Sequence, residues 1–165
     1  MAKMKYLPLI AALITTTACS ASSSTSNIFS RSQFFGGWNC SFSSKEDGAL
    51  VSIDLNVNYI RNGSSNSFGT MTLKLEEQAE IEIEYSISSS GSWEYQDGYL
   101  IETASEIKIV NLSHPELDEV FNLENILPQN ISESSEVLLL NGSTLRLKSE
   151  SNGEIINCNK LISKS

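Results

Sequence analysis

The sequence predicts an all-β domain: a single antiparallel up-and-down β-barrel of about 8–10 strands with one short helix. Three observations predict it. Apolar and polar residues alternate with a period of two through most of the chain after Trp38. Short Asn-Gly and Asp-Gly turns separate these runs, so consecutive strands are joined by hairpins. The length of 165 residues suits one domain and not a multidomain enzyme. Hairpin order favours a barrel over a Greek-key sandwich, although a sandwich stays open at this point.

Each element has its own pattern. The first strand lies around Trp38 to Ser43. Val51 to Tyr59 alternates without a break, with Val51, Ile53, Leu55, Val57 and Tyr59 on one face and Ser, Asp and Asn on the other. After Asn62-Gly63 comes a strand from Phe68 to Leu75, with Met71, Leu73 and Leu75 facing in. Ala79 to Ile87 follows, with Ile81, Ile83, Tyr85 and Ile87 inward and Glu80, Glu82 and Glu84 outward. Ser88 to Gly91 reads as a turn, Trp93 to Tyr95 as a short strand, and Asp97-Gly98 as a hairpin turn. Tyr99 to Thr103 and Glu106 to Leu112 read as two strands. Ser113-His114-Pro115-Glu116 has the form of a capping box with Pro in the first turn, and Leu117, Val120 and Phe121 continue at helical spacing. Strands at Glu136 to Leu140, Thr144 to Lys148 and Glu154 to Leu161 complete the count, with Asn141-Gly142 and Asn152-Gly153 as turns.

The N-terminus reads as an address. Lys3 and Lys5 precede the apolar run Tyr6 to Ile14, nine residues long and too short to span a bilayer as a helix. Thr16-Thr17-Ala18-Cys19 then resembles a bacterial lipoprotein signal, with Cys19 as the lipidated residue; Thr16 departs from the Leu usual in that family. Cleavage by ordinary signal peptidase after Ala18 or Ala21 is the alternative. The resemblance divides the chain into a signal at 1–19, a Ser-rich tether at 20–35 and a barrel domain at 36–165. It implies an outer-membrane lipoprotein facing the periplasm, or a secreted protein, with an N-terminal lipid as its membrane contact.

Lys plus Arg number 11 and Asp plus Glu 20; without residues 1–19, which hold two Lys and no acid, the charge becomes 9 − 20 = −11. Such a surface repels phosphates, so nucleic acid is not an expected partner, whereas a basic protein is. With Cys19 assigned to lipid, Cys40 and Cys158 remain as an even pair, expected to form a disulfide in an oxidising compartment. Closing so long a loop contributes about 4–5 kcal/mol in the chain-entropy model and makes the first and last strands neighbours. Two Cys and one distant His are a poor metal set.

Gly36-Gly37-Trp38 resembles the start of the lipocalin and calycin barrels, whose first strand carries Gly-x-Trp with a basic residue from a late strand across the Trp; Arg146 is the candidate here. The resemblance spans roughly 36–162 and implies a non-enzymatic protein with a pocket for a small apolar or amphipathic ligand. Met71, Ile83, Tyr85, Trp93 and Tyr95 are the candidate lining, with a filled barrel as the alternative. A second reading is a protein-binding module such as a periplasmic lysozyme inhibitor: Ser90-Gly91 followed by Tyr95 resembles that family's motif, one residue out of register.

Catalysis finds little support in the sequence. His114, the one histidine, has no Ser or Cys nucleophile context beside it. The acidic row at Glu80, Glu82 and Glu84 reads as a solvated outer face rather than a cation site. No cofactor is expected.

Overall fold

A computed structural model describes residues 29–46, 48–75, 81–118 and 130–162. The eight strands run β1 Gly36–Glu46, β2 Ala49–Tyr59, β3 Ser64–Leu75, β4 Glu82–Gln96, β5 Tyr99–Asn111, β6 Ile131–Leu140, β7 Thr144–Ser149 and β8 Ile155–Lys160. They pair in sequence order, all antiparallel, and β8 returns to β1, closing an up-and-down barrel. The alternation seen in the sequence maps onto inside and outside. Val57, Tyr59, Ile83, Leu145 and Leu147 are buried, while Asp54, Glu84, Arg146 and Lys148 are exposed. An apolar interior and a polar outer wall mark a barrel that faces water rather than lipid.

The strand count settles at eight because two expected breaks are not breaks. Ser88–Gly91 lies inside one continuous strand, β4, and Ser105 lies inside β5. Gly91 serves the sheet as a point of close approach: a Cβ there would sit 1.8 Å from the Thr103 carbonyl oxygen. Opposite it, Ser90 pairs with Glu106 but Gly91 pairs with Ala104, so Ser105 is an extra residue. That β-bulge shifts the inside–outside phase of β5 by one. Continuous alternation from Ile107 would turn Ile101 and Thr103 inward; the bulge turns Leu100, Glu102 and Ala104 inward instead. A second irregularity in β6, between Val137 and Leu139, leaves Leu138 and Leu139 exposed and Leu140 buried.

The expected helix opens only as a 3-10 turn, Pro115–Leu117; its continuation at 119–129 lies outside the described residues. Ser113 does not cap it. Its hydroxyl accepts the backbone N–H of Glu84 instead, and the turn is held by buried Asn111. The Asn111 amide donates to the His114 carbonyl at 2.6 Å and to Asp118 at 3.0 Å, and accepts the His114 N–H at 3.0 Å.

The strands differ in length. β1 to β5 have 11 to 15 residues, whereas β7 and β8 have six. The β5–β6 ladder covers only Tyr99–Ala104 and the β1–β8 ladder only Trp38–Ser41. Five strands therefore run on past the closed ring as a curved flange. Met71, Ile83 and Tyr85 lie on its inner-face register, with Ile83 and Tyr85 buried.

Candidate functional site

One end of the barrel is sealed by aromatic rings. Phe34 is fully buried, with Tyr59, Trp93 and Tyr95 around it at ring-centroid distances of 6.4, 5.9 and 5.0 Å. Indole N–H groups fix the plug: Trp38 donates to the Phe34 carbonyl at 2.7 Å and Trp93 to the Ile60 carbonyl at 3.0 Å. The Phe29 N–H donates to the Tyr95 hydroxyl at 3.0 Å. The end of the Ser-rich stretch, from Phe29 onward, is thus built into the barrel.

A cation does cover Trp38, but it is Lys160, with Nζ 4.1 Å from the ring centroid, and not Arg146. The same ammonium donates to the Phe35 carbonyl, and burial pushes its pKa down. Arg146 lies between the buried Leu145 and Leu147 and so must point out; Lys160, two residues after buried Cys158, points in. Cys40 and Cys158 form a disulfide across the closing ladder, where they are direct partners.

On the flange side of the plug the barrel holds a cavity of about 220 Å³ that opens to the outside. None of Met71, Ile83, Tyr85, Trp93 or Tyr95 lines it: the first three belong to the flange and the last two to the plug. Its walls include Phe42, Leu55, Val57 and Ile156 together with two acids, Glu102 of β5 and Glu133 of β6. These acids are direct cross-strand partners. Glu133 accepts hydrogen bonds from the Ser149 hydroxyl at 2.7 Å and the Ser151 hydroxyl at 3.1 Å. Glu102 is bonded to the buried Tyr59 hydroxyl. Burial pushes the Glu102 carboxyl up to about 7; the Tyr59 hydrogen bond opposes this and the Glu133 charge adds to it. Tyr59 is itself raised well above its ordinary value, by burial first and then by the Glu102 charge and hydrogen bond. Sequence reasoning missed Glu102 because the bulge at Ser105 decides its face, and Leu100 and Ile101 are both apolar enough to point inward.

The remaining candidates lie at the surface or outside the description. His114 is paired with Glu116 at 3.1 Å, both exposed side chains. Of the acidic row, Glu82 is paired with Lys74 at 3.1 Å, whereas Glu80 lies outside the described residues, as does Cys19. Among the described residues no group of three or more His, Cys, Asp or Glu could hold a metal. On the outer wall, Phe68 of β3, Val110 of β5 and Leu112 are large exposed apolar side chains.

The family model described as trans-membrane regulatory protein ToxS matches residues 15–157. No curated protein matches the chain. The family match overturns the lipocalin-like lipoprotein reading, and with it the small-ligand carrier and the lysozyme inhibitor. The barrel itself stands, but a shared architecture does not carry a shared function. The match runs through Cys19 within a family described as trans-membrane, so association with the cell envelope is supported, whereas lipidation of Cys19 is not. Covering 143 of 165 residues (157 − 15 + 1), the match settles the relationship: the chain belongs to the ToxS family of trans-membrane regulatory proteins.

Proposed function

We propose that this protein is a non-enzymatic regulatory module of the cell envelope whose barrel acts by contact with another protein. The observation that carries the reading is the family match, which extends across nearly the whole barrel. Two features of the surface support it. Phe68, Val110 and Leu112 are more than half exposed and lie on one outer face of the β3–β5 flange, where their neighbours are largely polar; Leu138, Leu139 and Ile155 are exposed to a lesser degree elsewhere on the wall. Among the described residues the flange also leaves β5 without a ladder partner beyond Ala104 on the β6 side. A regulator without catalytic chemistry must act by changing what a partner does, and the most exposed apolar side chains of the wall are where such a contact gains most.

The test is complementation of a strain lacking the gene by a chain carrying Phe68→Glu and Val110→Glu. Both side chains point to solvent, so thermal unfolding should be unchanged while the regulated transcript profile is not restored. Site-specific photo-crosslinking from position 110 in intact cells should give a discrete adduct with a second envelope protein, and none from Asn141 in the β6–β7 turn. Full complementation together with no adduct sinks the reading.

A further inference from the structure

The pairing of Glu102 with Glu133 has no role in the contact surface described above, and it sits at a short noncovalent seam of the barrel. β5 and β6 are held by six residue pairs, and the Glu102–Glu133 pair lies within that ladder with both carboxyls turned into the cavity. Directly opposed like charges on one face of a sheet repel. The interior offers little relief. From β2 the pair meets the Tyr59 hydroxyl, and β7 and the turn after it supply the Ser149 and Ser151 hydroxyls. The cavity walls from β1, β3, β4, β7 and β8 are apolar, neutral or disulfide-bonded, and no Lys, Arg or His is among them. The two acids are not equivalent. Glu133 accepts three hydrogen bonds, from the Ser149 and Ser151 hydroxyls and the Ser151 N–H. Among the described residues Glu102 has a single donor, the Tyr59 phenol, and burial pushes its carboxyl up to about 7, so Glu102 is where a proton is held into the neutral range.

We propose that Glu102 and Glu133 form a pH-responsive latch on the β5–β6 seam, closed while the pair carries a proton and loosened when both carboxyls are ionised. The seam borders the stretch of β5 that has no β6 partner among the described residues, so loosening it changes the geometry of the flange edge without breaking the ring at β1–β8, which the disulfide holds. The latch is a property of this chain alone and stands whether or not the barrel acts on a partner.

The direction of the effect follows from proton linkage. Between the ordinary carboxyl value of 4.5 and the folded value of about 7, the folded state holds more protons than the unfolded chain. Stability at this seam is therefore full below that window, falls as pH rises through it and stays low above it.

Hydrogen–deuterium exchange of the full chain in detergent, at pH 5.5 and 8.0 with intrinsic rates divided out, tests the latch. Protection of the amides at 99–104 and 131–136 should fall about tenfold between the two pH values, while amides of the β1–β2 ladder stay within about threefold. Glu102→Gln should abolish the difference, and Glu102→Asp, which keeps a carboxyl, should retain it. Glu133→Gln removes the repulsion from the other side but leaves the cost of burying Glu102, so it should reduce the response without abolishing it, serving where Glu102→Gln does not fold. The proposal is overturned if the wild-type seam responds to pH no more than the β1–β2 ladder does. It is equally overturned if Glu102→Gln or Glu133→Gln responds as the wild type does.

Discussion

The two seams that close this barrel are built on opposite principles. The β1–β8 seam has four residue pairs, but it carries the Cys40–Cys158 disulfide, and next to it Lys160 lies over Trp38 and donates to the Phe35 carbonyl. The β5–β6 seam has six pairs, no covalent link, and two carboxyls facing each other across the ladder. The seam with fewer backbone bonds is thus the permanent one, and the seam with more of them is conditional. Ladder length alone does not rank the strength of a closure; what the inward side chains do to each other decides it.

The largest expected effect breaks the permanent seam. Replacing Cys40 and Cys158 together by Ala should cost about 4–5 kcal/mol in urea unfolding, because the bridge spans 118 residues. A loss under about 1 kcal/mol would mean that the ladder and the Lys160 plug hold the seam unaided.

The next effect has the opposite sign and belongs to the conditional seam. Glu102→Gln should stabilise the fold by about 2–3 kcal/mol at pH 8 and by almost nothing at pH 4.5, because only above the folded value of about 7 does the wild type bear the full cost of a buried charge. Equal stabilisation at both pH values would show that packing, not charge, is what the substitution changes.

Gly91→Ala tests the bulge that presents Glu102 to the interior. A Cβ 1.8 Å from the Thr103 carbonyl oxygen cannot be accommodated without moving β5, so we expect a loss of about 1–3 kcal/mol, read by thermal unfolding. It should fall on β5 exchange protection and leave the β1–β8 ladder unaffected. Lys160→Met keeps the stem and removes the cation over Trp38, a loss of about 1–2 kcal/mol from the permanent seam by the same measurement. Lys74→Ala, which removes an exposed pairing with Glu82 far from either seam, should change stability by less than about 0.5 kcal/mol.

The sequence by itself determined the β class, the hairpin order and the end-to-end bridge. Each depends on local periodicity, on turn residues such as Asn62-Gly63 and Asp97-Gly98, or on an even pair of Cys, and each is readable without knowing what packs where. Lys160 was within reach of the same rule, since period two puts it inside with Cys158, and puts Arg146 outside between Leu145 and Leu147. The tertiary structure alone decided the rest. Joining Trp93 to Ser88, and Tyr99 to Asn111, into single strands depends on Gly91 meeting the Thr103 backbone across a ladder, which no local pattern records. The one-residue bulge at Ser105 then sets which side of β5 is inside, and thereby brings Glu102 against Glu133 and Tyr59. Alternation fixes the face of a strand only relative to its own start; a bulge resets that phase, and what holds a bulge is the neighbouring strand.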